Sequence, residues 1–217
     1  MSIKIGIVSE GVSDYWALKH ITERYLKEMD VYTIALKPKI TKQGKQGGFG
    51  TWQGVFEYIK GEDKLILEAV NEGCQFVIIQ IDTDVCEQYG VSKNDKDVKA
   101  LWVNVQAKIK SSIHPDFEQS ILIYAICIHE LECWLIPFVC TDNKKCAKIN
   151  QCLNPINDKI KAKETIDKHN KNDDKVRPLY DFILNKKKKP IDIKDCSSYN
   201  IGFQSFIYQL DRIKEKL

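Results

Sequence analysis

The stretch Phe76-Val-Ile-Ile-Gln-Ile81 constrains the fold more than any other part of the chain. It is rich in β-branched residues and almost continuously apolar, the pattern of a strand covered on both faces in a parallel sheet. Three further short apolar runs, Ile3 to Val8, Tyr32 to Leu36 and Ile121 to Ile128, share that character. Stretches with helical spacing separate them. Trp16, Leu18, Ile21, Tyr25, Leu26 and Met29 follow the first run, and a helical stretch from Trp52 to about Val70, broken at Gly61, follows the second. Val98, Leu101, Val105, Ile109 and Ile113 form one stripe after the third. The order βαβαβαβ predicts an α/β fold with a mostly parallel, Rossmann-like sheet of about four strands, whose ligand sits at the strands' carboxyl ends.

After Leu135 the chain becomes rich in Lys and Asn, and Pro137, Pro155, Pro178 and Pro190 interrupt short helices. We therefore divide it into an α/β domain over residues 1–138 and a Lys-rich helical appendage over residues 139–217. Phe203, Phe206, Ile207, Leu210 and Ile213 lie at i, i+3, i+4, i+7 spacing, so the last helix is expected to pack back on the body. The net charge of +3 is unevenly spread. Between Asn143 and Lys194, 14 Lys and one Arg face seven acids, or +8, which leaves 3 − 8 = −5 for the rest. A basic segment beside an acidic body suits a phosphate-backbone binder with a metal centre, although Lys186 to Lys189 also fit a solvated loop.

With 43% hydrophobic and 29% charged residues, the composition is that of a globular protein and excludes a disordered chain. No run approaches the roughly 18 apolar residues of a membrane span, and the start runs straight into a strand rather than a signal peptide. The expected location is the cytoplasm, and in a chain this long without a secretion signal the eight cysteines are expected to be reduced thiols; none forms a Cys-x-x-Cys pair.

Glu10 lies two residues beyond the first strand, and Asp82 and Asp84 follow the third. A parallel sheet brings all three carboxylates to one edge despite about seventy intervening residues. Carboxylates so close repel one another, and unless one takes up a proton the site is relieved by a divalent cation with oxygen ligands. Mg²⁺, with Mn²⁺ as substitute, is the natural candidate. In an extended Asp82-Thr83-Asp84 the two aspartates point the same way and can share one metal, although Asp-x-Asp at a strand end is also a common turn signal or helix cap.

These residues resemble the signature of the TOPRIM superfamily, the metal-binding domain of topoisomerases, primases and OLD-type nucleases. The likeness covers about Ile3 to Trp134: a Glu after the first strand, in Val8-Ser-Glu-Gly-Val-Ser-Asp14, and Asp82-Thr-Asp84 after the third. It implies Glu10 as general acid/base or metal ligand and the aspartates as metal ligands. His129-Glu-Leu-Glu-Cys-Trp-Leu-Ile and Gly202-Phe-Gln-Ser-Phe-Ile look like motifs of small stand-alone TOPRIM proteins encoded beside ATPases in bacterial defence loci. The resemblance thus implies anti-phage defence with a partner ATPase. One departure is that Val85-Cys86 follow Asp84 where related nucleases often carry further acids, so the number of metals stays open.

Glu130 or Glu132, after the fourth strand, can approach the same edge, and we prefer Glu132 because only one of an i, i+2 pair faces inward. His129 beside them either orients a water or phosphate or simply opens a helix. The loop Thr41 to Gly50 has four glycines with Lys42 and Lys45, suited to a phosphate or to solvent, but lacks P-loop spacing. Lys186 and Lys187 complete the candidate phosphate contacts.

The leading expectation is a Mg²⁺-dependent nuclease acting on DNA or RNA. The alternative is a non-catalytic metal- or nucleotide-binding α/β signalling module. A receiver-like domain would pair acids after the first strand with a lone Asp after the third and a Lys after the fifth, and that order is not found here.

Overall fold

A computed structural model describes residues 2–40, 46–47, 51–61, 65–160, 165–167, 169–171, 176–186 and 189–215. The elements run β1 (Ile3–Val8), α1 (Val12–Tyr25), β2 (Val31–Lys37), β3 (Lys39–Ile40), β4 (Gln46–Gly47), α2 (Trp52–Lys60), α3 (Leu65–Asn71), β5 (Phe76–Asp82), α4 (Val98–Ser112) and β6 (Leu122–Cys127). Then follow α5 (Glu132–Val139), α6 (Asn143–Cys146), α7 (Leu153–Ile160), α8 (Arg177–Leu184), α9 (Pro190–Ser197) and α10 (Ile201–Glu215). The short β3 and β4 pair antiparallel, away from the main sheet.

The main sheet has four strands in the order β2-β1-β5-β6, every pair parallel. The α/β reading of the sequence therefore holds, with helices on both faces. Strand alternation explains the division. Ile5, Ile7, Ile78, Ile123 and Ala125 pack on one face with α1, α5 and the C-terminal helices. Val77, Ile79, Ile81, Tyr124 and Ile126 pack on the other with α2, α3 and α4. Tyr180, Ile193 and Phe206 of the C-terminal segment share the first core with α1 and β1. Trp134 of α5 stacks on Phe203 of α10, ring centres 4.9 Å apart.

The expected helix from Trp52 divides into α2 and α3, ending first at Gly61, whose N–H caps Glu57 O at 2.9 Å. Thr51 and Asp97 cap α2 and α4 with their side chains, accepting from Gly54 N and Ala100 N respectively. Among the described residues, no helix is long and apolar enough to cross a membrane.

One cysteine expectation is overturned. Cys133 of α5 and Cys152, just before α7, are joined by a disulfide, with Cα atoms 5.0 Å apart. The packing of α5 against the α7 segment makes the pair, and no local spacing announces it. Cys74, Cys86, Cys127, Cys140, Cys146 and Cys196 are buried and take no part in that disulfide.

Strand β6 is an edge strand, and α10 closes that edge. The Tyr124 N–H donates to Gln209 Oε1 at 2.8 Å, and Gln209 Nε2 donates back to Tyr124 O at 3.1 Å, so one side-chain amide takes the place of a neighbouring strand. Gly202 lies so close to β6 that a Cβ there would stand 2.1 Å from Ile126 O, a main-chain atom that has little room to retreat. Gly202→Ala should therefore destabilise the fold by about 1–3 kcal/mol or more, as overpacking does, lowering the thermal unfolding midpoint. A melt indistinguishable from the parent's would show that α10 is free to lift off the sheet.

Candidate metal centre

The parallel order places the turn after β1 beside the end of β5, at the point where strand order reverses, which is where ligands bind in open α/β sheets. Glu10 follows β1 and Asp82 ends β5. A closed ring of hydrogen bonds joins them. The Glu10 N–H donates to Gln80 Oε1 at 2.9 Å, Gln80 Nε2 to Asp82 Oδ1 at 2.8 Å, and the Asp82 N–H to Glu10 Oε1 at 2.7 Å. Gln80 and Asp82, two apart on a strand, share a face, so the amide reaches the carboxylate directly. Gln80 is fully buried, and its lone polar presence in an otherwise apolar run was the available signal.

Two helix starts complete the centre. Asp14 sits in the first turn of α1 and Glu132 in the first turn of α5. Both are buried, at 2% and 0% exposure, and each has one carboxylate oxygen without a hydrogen-bond partner among the described residues, Asp14 Oδ1 and Glu132 Oε2. Helix N-termini ease this burial, since their partial positive charge favours an anion. The other Glu132 oxygen accepts from Lys171 Nζ and from Tyr180 Oη, each at 3.0 Å. Neither Asp14 nor Lys171 figured among the sequence candidates.

The aspartate pair differs from the extended arrangement the sequence predicts. Strand β5 stops at Asp82, and the chain bends at Thr83 and turns at Asp84. Asp82 is buried, whereas Asp84 is exposed. The turn is held to the end of β6: Thr83 N donates to Cys127 O at 3.0 Å, His129 N to Thr83 Oγ1 at 2.8 Å, and Asp84 N to His129 O at 3.2 Å. His129 adopts a left-handed backbone, φ 61°, and its Nε2 lies 3.2 Å from Asp95 Oδ1. It turns the chain between β6 and α5. Glu130 Oε1 accepts from Cys152 N at 2.6 Å, leaving Glu132 to face the acidic cluster.

The electrostatics follow from burial. Glu10 is pushed up to about 8 by burial, opposed by the Asp82 N–H bond and reinforced by Asp14 and Asp84. Asp82 lies well above the usual carboxylate range, first through burial and then through Asp14 and Glu10, and burial raises Asp14 likewise. Glu132 differs: burial pushes it up, but the Lys171 ammonium and the bonds from Lys171 and Tyr180 outweigh this and hold it below its ordinary value. Electrostatic interactions thus link Glu10 to Asp14 and Asp84, Asp14 to Glu132 and Asp84, and Asp82 to Asp14, Glu10 and Glu132, with Lys171 a buried cation acting on Glu10, Asp14 and Asp82.

The donor set fits a hard cation. The acids offer carboxylate oxygens, two of them buried without partners among the described residues, and the raised carboxylates mark a concentration of negative charge of the kind a divalent ion would relieve beyond what Lys171 does. Among the described residues, the group of three or more His, Cys, Asp or Glu whose ligand atoms lie within 4.8 Å of one another is Glu130, Cys133 and Cys152, where the sulfurs are bonded to each other and the set is too soft for Mg²⁺; the carboxylates at the strand ends are spread more widely.

No family model, curated protein or solved structure matches the chain.

Lys42, Lys45 and Lys187, together with Phe49, fall outside the described residues. Lys186 is exposed, its Nζ 4.2 Å from the Phe182 ring centre. Trp52 packs on Phe56 and Tyr89 and donates to Gln88 Oε1, while Tyr89 Oη donates to Asp82 O at 3.0 Å, so these aromatics buttress the metal edge from behind.

Two outcomes follow. Gln80→Leu keeps the strand apolar and breaks the ring that orients Glu10 and Asp82; loss of such outer contacts typically weakens metal binding by about 10–100-fold, which calorimetry with Mn²⁺ would read. An unchanged affinity would remove Gln80 from the site. The second concerns pH. Glu10's proton is held more tightly in the folded state than at its ordinary 4.5, so the stability it contributes is full below that value and is lost as pH rises towards about 8. In a chelator, the parent's unfolding midpoint should fall across that window and fall less in Glu10→Gln. Parallel profiles would show that Glu10 is not the titrating group.

Proposed function

We propose that this chain is a Mg²⁺-dependent, nuclease-like protein of the TOPRIM type that acts on phosphodiester bonds of nucleic acid. The observation that carries the reading is the gathering of Glu10, Asp14, Asp82, Asp84 and Glu132 at the strand-order switch, with buried oxygens of Asp14 and Glu132 left without partners among the described residues. Glu10, Asp82, Asp84 and Glu132 are the residues that would hold the ion, and Asp14 joins them. When bound, Mg²⁺ supplies charge stabilisation for the phosphoryl oxygens and a more acidic water.

The chain's own groups have distinct tasks. Glu10 Oε1 is fixed by the Asp82 N–H, so its other oxygen is the atom that takes or gives a proton during cleavage. Gln80 holds Glu10 and Asp82 in mutual register. Lys171 and Tyr180 keep Glu132 ionised, which preserves a ligand where burial alone would protonate it. The likeness of His129 to Ile136 and of Gly202 to Ile207 to small stand-alone TOPRIM proteins supports a cytoplasmic defence role with a partner ATPase.

The test incubates purified protein with plasmid, single-stranded DNA and tRNA, with and without Mg²⁺ or Mn²⁺. Cleavage should require the ion and disappear in the Asp82→Asn, Asp84→Asn double variant, whose circular dichroism should match the parent's. Glu10→Gln should slow single-turnover cleavage by about 10²–10⁴-fold, the usual contribution of general acid/base catalysis. Absence of Mn²⁺ binding by the parent would end the metal reading.

A further inference from the structure

The two helices that flank the edge strand β6 carry the same order of side chains. Trp102, Gln106 and Lys110 recur every fourth residue along one stripe of α4. Tyr208 and Arg212 lie one turn apart on α10 with Gln209 beside them, so each helix reads aromatic, amide, cation. Together these residues line a groove of about 430 Å³, which Leu122 and Tyr124 of β6 also border. Both helices run against the strand. Asp95, just before α4, lies 3.2 Å from His129 Nε2 past the carboxyl end of β6, whereas Lys110 O accepts from Gln119 Nε2 at 3.4 Å before β6 begins. On α10, Gly202 sits against Ile126 and Gln209 against Tyr124. The two rings therefore lie towards the carboxyl end, where the acids gather, and the two cations towards the amino end.

The charges and rings of this groove are open to solvent. Lys110, Arg212 and Tyr208 are exposed, Tyr208 at 68%, and Trp102 is partly exposed, so nothing need move for a ligand to reach them. Among the described residues no acid lines the groove, and Lys110 and Arg212 form no ion pair. Lys110 Nζ stands 5.7 Å from the Tyr124 ring centre, while Lys194 and Lys214 nearby are both bound to Asp211. Two other grooves of similar size mix their charges: Glu57 lies beside Lys60 in one, and Asp195 and Asp211 beside Lys194 in the other. Two unopposed cations call for an anion, and two accessible rings call for flat unsaturated groups on the same ligand. Single-stranded nucleic acid joins both, since its phosphates meet the cations and its bases, free of a complementary strand, stack on the rings. An acidic peptide satisfies the charges alone.

We propose that the groove between α4 and α10 binds single-stranded nucleic acid, with Lys110 and Arg212 holding phosphates and Trp102 and Tyr208 stacking on bases. The inference rests on the nuclease reading for the use of that strand and deepens it, making the substrate single-stranded and held at a surface apart from the carboxylates. Binding there needs no divalent ion.

The test is fluorescence anisotropy in a chelator across a salt series, with a labelled single strand of DNA, the matching RNA, the same DNA as a blunt duplex, and an abasic strand of equal length. The parent should bind a single strand of DNA or RNA more tightly than the duplex or the abasic strand, and whichever of the two binds better names the source. Tyr208→Ala should lose about 5- to 150-fold in affinity, the range for one base–aromatic stack, with its salt slope unchanged, and Tyr208→Phe should keep the affinity. Lys110→Ser combined with Arg212→Ser should reduce the slope of log affinity against log salt by about 1.4, the share of two phosphates on a single strand. Tyr208, Lys110 and Arg212 are all exposed, so these variants should melt with the parent. The inference is overturned by a parent that binds no single strand, by a duplex or abasic strand bound as tightly, by an unchanged slope in the double variant, or by a dimer in sedimentation that Tyr208→Ala dissolves. Because no metal is present, strand binding without any Mg²⁺-dependent cleavage upholds the groove and sinks the nuclease reading, and cleavage without this binding does the reverse.

Discussion

Negative charge buried at the end of a parallel sheet is the condition to which the rest of the molecule answers. Asp14, Asp82 and Glu132 are each less than a tenth exposed, and Glu10 is only partly exposed beside them. Groups of one sign so placed are tolerable only with fixed dipoles, donors or opposite charge around them. The first turns of α1 and α5 supply dipoles, Gln80 and the Asp82 N–H supply donors, and Lys171 supplies charge. Lys171 and Tyr180 both come from the C-terminal part of the chain, so the boundary drawn near residue 138 is not an electrostatic one. The sheet and the segment that follows it build one centre between them.

Much of this was legible from sequence because it rests on local pattern. Alternating apolar runs and helical stripes gave four strands with helices between them, and strand-end position singled out Glu10 and Asp82. What escaped depends on distance or on a break in pattern. Asp14 stands plainly at the start of α1, where an acid reads as helix-start chemistry; only burial shows it turned to the acidic cluster. Lys171 pairs with Glu132 across 39 positions through packing alone, and Cys133 meets Cys152 the same way. Asp84 was expected to mirror Asp82, but the strand ends one residue too soon for the alternation to continue.

The disulfide and the hydrogen bond beside it also bear on the centre. Cys133 directly follows Glu132 in α5, and Glu130, one residue before Leu131, accepts from the Cys152 N–H at 2.6 Å. The first turn of α5 is therefore tethered at two points to the segment that leads into α7. Glu132 thus has little freedom to rotate away from Lys171, which keeps its unpartnered oxygen among the carboxylates rather than in solvent.

The amide of Gln209 lying along β6 carries a consequence for how shortened forms of the chain would behave. A product ending before Ile201 would keep every carboxylate of the centre yet leave Tyr124 and Ile126 with bare main-chain groups along an apolar strand. Such an edge recruits strands from other molecules. Loss of function in a truncated form would then record self-association of the sheet, with the chemistry of the acidic cluster left untouched.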